Sequence, residues 1–287
     1  MHKTTRKAAL EKLDAMDALI AYSDDRKIDE YYADLEIHPG SFIGDYLTIN
    51  KFLLKDHYEQ LKKSTGDNDW TKEANVAVIN AYYAFSKNNI ILPASILRGH
   101  FFQSDLPKYV TYGSTGYVIV HEIIHGFDSV GSNYDEGGNI VEWWEEKTKN
   151  KFNENAQCMI EQYNNYPVEQ VGEKARGDKC ITENIADNGG IKSAYYAYQQ
   201  WVKNSNVKEP CLPNLDYTPQ QMFWISAVNV WCTKVKDDVL QRMVQNDVHS
   251  PNIARVSITF SNMKEFARDF QCKVGSKMNP TNRCSVW

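Results

Sequence analysis

Apolar residues fall at helical spacing near the start of the chain, where Ala8, Ala9, Leu13, Met16, Leu19 and Ile20 are flanked by Lys, Arg, Glu and Asp. That period predicts an amphipathic helix over residues 5–22, with one face packed on the body of the protein. A turn-rich, acidic stretch runs on through His38-Pro39-Gly40. A second helical pattern covers about 44–63 (Tyr46, Ile49, Phe52, Leu53, Tyr58, Leu61) and stops before Ser64-Thr65-Gly66-Asp67-Asn68. Then the period changes. Between Val76 and Leu92 two β-prone runs flank Ser86-Lys87-Asn88-Asn89, a hairpin signature closed by Pro93.

The stretch 118–128 reads Val-Ile-Val-His-Glu-Ile-Ile-His-Gly-Phe-Asp, and Gly126 is its first break in helical propensity. Residues 131–139 are rich in Gly and Asn and predict a loop. Helical patterns return over 141–165 (Trp143, Trp144, Phe152, Met159), about 181–202, and 219–245, with Pro210, Pro213 and Pro219 between the last two. The tail from Arg255 to Trp287 mixes a short helix with turns. Without repeats or a low-complexity linker, residues 1–287 read as one domain, mainly α with a small β-sheet next to the site.

An apolar fraction of 42% and a charged fraction of 24% are ordinary for a folded protein. Seven Trp, 17 Tyr and 11 Phe predict an aromatic-rich interior. A net charge of −5 gives no electrostatic footprint for nucleic acid or an anionic membrane. No apolar run approaches the ~20 residues that span a bilayer. Basic residues open the chain without an apolar segment behind them, so no signal peptide is expected. The chain is expected to begin in the cytosol or partway into a longer protein. None of the six cysteines forms a Cys-x-x-Cys pair, which argues against a zinc ribbon or a thioredoxin-like site. Disulfides and six buried thiols both fit so scattered a set.

On a helix, His121 and His125 lie one turn apart on the same face. Two imidazole nitrogens can then reach one ion, with Zn–N distances near ~2.0–2.1 Å. Glu122, one residue round, could take a proton from a water on that ion without binding the ion itself. The competing reading is an amphipathic helix with two half-buried, hydrogen-bonded histidines. A catalytic zinc keeps three protein ligands and one open position. Thr182-Glu183-Asn184-Ile185-Ala186-Asp187-Asn188-Gly189-Gly190 offers two carboxylates four apart, Glu183 and Asp187. One could bind the metal while the other accepts the N–H of a ligand histidine; equally, both could serve the dipole of an exposed helix start.

His121-Glu122-Ile-Ile-His125-Gly-Phe-Asp, with Glu183-Asn-Ile-Ala-Asp187-Asn-Gly-Gly beginning 58 residues past His125, resembles the neprilysin and endothelin-converting enzyme family of zinc endopeptidases. Three further stretches agree in order: Asn80-Ala81-Tyr82-Tyr83, Asp247-Val248-His249-Ser250-Pro251 with Arg255 beyond it, and the terminal Cys284-Ser-Val-Trp287. The resemblance implies a thermolysin-like (gluzincin) catalytic domain, one Zn2+ per chain, and peptide substrates. It assigns the metal to His121, His125 and Glu183. Glu122 becomes the base that takes water's proton and later passes it to the leaving amine. Asp187 orients His121, and Asp247 does the same for His249. His249 would donate to the carbonyl oxygen as negative charge develops there. Arg255 would grip a substrate oxygen with its planar fork. Asn80 and Ala81 would hold the peptide as an added strand. Val230 and Trp231 would line the pocket that follows the cut bond, so cleavage is expected before bulky hydrophobic residues. Taken residue by residue, His249 also reads as a surface loop histidine, Arg255 as a surface ion pair, and Val230-Trp231 as core.

Members of this family carry a cytosolic tail, a membrane anchor and a helical domain that roofs the site, none of which is expected within 1–287. Three consequences are expected: longer substrates than those of roofed relatives, a weak or inactive peptide binder as the alternative activity, and self-association through the roof-facing surface. Extracellular or cell-surface location follows from the likeness, though no Asn-x-Ser/Thr acceptor with a permitted middle residue occurs. Of the cysteines, the likeness pairs Cys158 with Cys284 and leaves Cys232 and Cys272 without partners. Cys180 and Cys211 are expected to form an additional bridge. Thr182 stands where the family commonly has Gly.

Overall fold

The computed structural model describes residues 1–22, 25–38, 40–62 and 76–286. The expected turn at 64–68, Pro39 and the final residue of the Cys-x-x-Trp motif lie outside the described residues. The fold is mostly helical with a small sheet.

Helix α1 (Lys3–Asp14) ends sooner than its apolar spacing predicts, and β1 (Asp17–Ala21) follows. Leu19 and Ile20 are adjacent, so they serve a strand as well as a helix; pairing settles the choice. β1 lies parallel to β3 (Asn89–Pro93), with Leu19 opposite Ile91. Every residue of β3 is buried, as a central strand requires. β2 (Tyr82–Ala84) runs antiparallel on the other side of β3, giving the order β1-β3-β2 and leaving β2 at an edge. The expected hairpin therefore exists, but its first strand starts at Tyr82 rather than Val76. Pro93 is the last residue of the second strand.

The acidic stretch before Pro39 is not all turn. Residues Asp25–Tyr32 form α2, and Tyr31 and Tyr32 pack their rings on Phe52 of α3 (Phe42–Gln60) at 5.4 and 5.9 Å. Helix α4 (Lys108–Thr111) passes through a wide π-turn (Tyr112–Gly116) into α5 (Tyr117–His125). Such turns recur at functional sites. Helix α6 (Glu146–Asn164) begins after Trp143 and Trp144, with the Glu145 side chain accepting the Thr148 N–H. A two-stranded ribbon, β4 (Pro167–Val168) and β5 (Glu173–Lys174), leads to the long α7 (Ile181–Ser205).

The single helix expected over 219–245 is two, α8 (Pro219–Val230) and α9 (Asp237–Asn246). Asp237 and Asp238 open the second helix, where acidic residues suit the dipole. α10 (Asn252–Ser261) and α11 (Lys264–Asp269) close the fold.

α7 is shared by two cores. Its Ile185 packs with Phe152, Met159, Tyr163, Val244 and Ile258, and its Ile191, Tyr195 and Tyr198 pack with Tyr109, Phe223, Trp224 and Phe260. Cys158 and Cys284 form a disulfide across 126 residues, worth about 5 kcal/mol in the chain-entropy account. Cys180, Cys211, Cys232 and Cys272 are free, so the expected Cys180–Cys211 bridge does not form. Cys180 is buried at the start of α7 with its thiol toward the Asp247 carbonyl, while Cys211 is exposed. No described helix is long and apolar enough to cross a membrane.

Candidate metal centre

The site is built where α5 and α7 touch. A Cβ on Gly190 would stand 3.0 Å from the backbone of His121, so any larger residue here would push the two helices apart. It brings Glu183, one helical stretch earlier on α7, over the two histidines. His121 Nε2 and His125 Nε2 are 3.1 Å apart, and Glu183 Oε2 lies 3.3 and 3.6 Å from them. Donors about 2.0–2.1 Å from one tetrahedral ion are separated by about 3.3 Å, so these three spacings fit such an ion. Glu183 Oε2 is buried and makes no hydrogen bond. A buried acceptor of that kind is costly unless a cation meets it.

Each imidazole is backed by a carboxylate. His121 Nδ1 lies 3.0 Å from Asp187 Oδ1, and His125 Nδ1 lies 2.6 Å from Asp128 Oδ2. A carboxylate at Nδ1 fixes the proton there and leaves the Nε2 lone pair facing the site. Burial alone would lower the His125 pKa, but the neighbouring carboxylates of Asp128 and Glu183 push it up to about 10. His121 moves up for the same reason, with Asp187 and Glu183 overriding burial. Burial opposes ionisation of Glu183, yet the two histidines hold it far below the usual carboxylate range.

Glu122 is almost fully buried. Burial raises its pKa, while His121 and His125 work in the other direction. Its carboxylate is thus a better proton acceptor than an exposed glutamate.

A cleft of about 620 Å³ opens over the cluster, lined by Asn80, Ala81, His121, Glu122, His125, Glu183, Val230, Trp231, His249 and Arg255. Of the residues singled out from the sequence, Asp187 and Asp247 do not line this cleft: Asp187 lies wholly buried behind His121, and Asp247 stands behind His249. His249 is half-exposed, with Nε2 3.4 Å from Glu183 Oε2 and Nδ1 2.8 Å from Asp247 Oδ1. Ser250 Oγ donates to Asn184 Oδ1 at 2.8 Å and seats that loop on α7.

Arg255 is not a surface residue. Its Nε and Nη2 donate to Asp187 at 2.7 Å each, and its guanidinium lies 3.7 Å from the Trp231 ring centroid. The remaining edge of the fork borders the cleft. Burial opposes ionisation of Asp187, but Arg255 and His121 hold its pKa at about 2.

No role falls to Asp128 from the sequence, although it stands three residues past His125, within one turn of it. Tyr117, whose hydroxyl donates to Asp187 at 3.1 Å, was likewise unassigned, for want of any motif around it.

A helix carrying His-Glu-x-x-His, a carboxylate donated by a second helix and an edge strand beside them define the architecture of a metallopeptidase. The model of peptidase family M13 matches residues 80–286, and the chain belongs to that family. It is 42% identical to Neprilysin-2 of Drosophila melanogaster over 100% of this chain and 38% of that protein. It is 38% identical to endothelin-converting enzyme 1 of Cavia porcellus, again over 100% of this chain and 38% of the relative. Among solved structures, the Mycobacterium tuberculosis zinc metalloprotease Zmp1 in complex with inhibitor superposes with a TM-score of 0.88 at 28% identity, covering 100% of this chain and 43% of that one. The chain thus spans about two fifths of the length of these relatives.

Proposed function

We propose that this chain carries the catalytic centre of a zinc-dependent endopeptidase that cuts peptides on the amino side of bulky hydrophobic residues. The convergence of His121, His125 and Glu183, each imidazole backed by a buried carboxylate, is the observation that carries the reading. Zinc held by these three would lower the pKa of a water to about 7 and polarise the scissile carbonyl. Glu122 takes the water's proton and returns it to the leaving amine, helped by the burial that raises its basicity. His249, held through Nδ1 by Asp247, donates to the carbonyl oxygen as charge develops on it. The free edge of Arg255 binds a substrate oxygen. A peptide lies along β2 next to Asn80 and Ala81, with its hydrophobic side chain against Val230 and Trp231.

The test is metal content, followed by turnover of a fluorogenic peptide with a central Phe or Leu, with and without chelator, beside Glu122→Gln. Metal with chelator-sensitive cleavage before the hydrophobic residue is expected. Metal without turnover would instead favour the inactive peptide binder; absence of metal would overturn both.

The Cys158–Cys284 disulfide supports an extracellular or cell-surface place of action. Phe42, Ile43, Leu47 and Leu54 expose an apolar face on α3, which supports self-association. Sedimentation across the micromolar range should then show a concentration-dependent mass.

A further inference from the structure

Lys12 lies on α1, outside the residues matched by the family model, yet it is 1% exposed. Its Nζ ends beneath the metal-binding helix and donates to three carbonyls: Gly126 at 2.7 Å, Gly131 at 2.8 Å and Tyr134 at 2.7 Å. All three belong to the turn that follows α5, where a helix leaves carbonyls without partners and favours a cation. The same turn carries Asp128. One oxygen of that carboxylate meets His125 Nδ1, and the other accepts the N–H groups of Val130 and Gly131 at 2.7 and 2.8 Å. The turn is folded tightly: a Cβ on Gly131 would fall 1.8 Å from the His125 carbonyl oxygen.

The rings of Phe127 and Trp143 face the ammonium at 5.5 and 5.9 Å. Asn88 donates to the Lys12 carbonyl at 3.0 Å and to the Glu136 carbonyl at 3.2 Å, and accepts from the Tyr83 hydroxyl beside the cleft. Burial pulls the lysine pKa down to about 8 against the pull of Asp128, Asp135 and Glu136, so it is an ammonium at neutral pH. An apolar side chain would fill this space without the cost of burying a charge. What it could not do is bind three carbonyls at once.

We infer that Lys12 is a positioning residue for the metal centre, fixing through the carbonyls of residues 126, 131 and 134 the turn that presents Asp128 to His125. The inference rests on the metal reading above. It makes the first helix a working part of the site rather than a leader to it.

The test compares the wild type with Lys12→Met, Asp128→Asn and the double variant. Zinc affinity is read by competition with a chromophoric chelator, and the ligand field by Co2+ absorption. K12M is expected to weaken zinc binding about tenfold and to shift the Co2+ bands in the same sense as D128N. The double variant should lose little more than D128N alone, because the two act through one turn. Met222→Ala, in the second core, should lower thermal stability while leaving both readouts unchanged. Should K12M fail to fold, Lys12→Gln keeps two N–H donors and should show an intermediate loss.

Wild-type affinity and spectrum in the Lys12 variant, or strictly additive losses, would overturn the inference while leaving the metal site standing. A wild-type chain that takes up no zinc would overturn both.

Discussion

The two histidines of the candidate metal centre are held by the same kind of carboxylate in different ways. Behind His121, every contact runs from side chain to side chain between helices: Asp187 on α7, Arg255 on α10 and Tyr117 on α5. Behind His125, Asp128 sits in a turn, its second oxygen spent on backbone N–H groups, and the neighbouring cation reaches it only by way of carbonyls. Helices that are already packed can place a carboxylate unaided. A turn has no such rigidity of its own and needs a clamp from elsewhere. The first arrangement concentrates its energy in one buried ion pair; the second spreads it over a network.

The largest effect should come from the residue both arms surround. Glu122→Gln is expected to lower kcat by about 10²–10⁴-fold with zinc content unchanged; a parallel loss of metal would mean that Glu122 holds the site rather than working in it. Next, Arg255→Met strands the Asp187 charge in the interior and should cost about 3–5 kcal/mol in urea unfolding. A loss under about 1 kcal/mol would show that the ion pair is not what keeps the His121 side in place.

Asp187→Asn and Asp128→Asn should each weaken zinc binding about 10–100-fold. The comparison sharpens if D187N also lowers unfolding stability far more than D128N, since only D187N takes the carboxylate from a buried, doubly hydrogen-bonded arginine; equal destabilisation would dissolve the distinction. The smallest effect is one of pH. The folded-state pKa of Asp187, about 2, lies below its ordinary 3.8, so its stabilisation is present above pH 3.8 and is lost as pH falls towards 2. The shift corresponds to about 2 kcal/mol. D187N should therefore unfold with a shallower acid dependence, and an unchanged slope would locate the charge penalty elsewhere.

The His121 side was legible because its parts are periodic. His121 with His125, and Glu183 with Asp187, recur at helical spacing, and only the division of labour between the two carboxylates needed the family likeness. The His125 side was not. Asp128 was visible in the motif, but nothing in its spacing distinguishes an acceptor for imidazole from an acidic loop residue. Lys12 binds carbonyls more than a hundred residues away, and a carbonyl leaves no mark on a sequence.

The fold departs from its periodicity for the same reason. At the α1–β1 boundary Leu19 beside Ile20 fits two periods, and partnership with β3 decides between them. The break between α8 and α9 was written as Trp231-Cys232-Thr233, β-prone residues that an apolar helical pattern hid, with Asp237 and Asp238 marking the restart.

The position of β2 at the sheet's border has a consequence for what the cleft would accept. A chain laid along its outer side must supply main-chain donors and acceptors in alternation, whatever its side groups. Peptides methylated on nitrogen at those points, or carrying proline there, would resist attack even with an ideal aromatic group next to the scissile bond. Discrimination would then begin with the backbone.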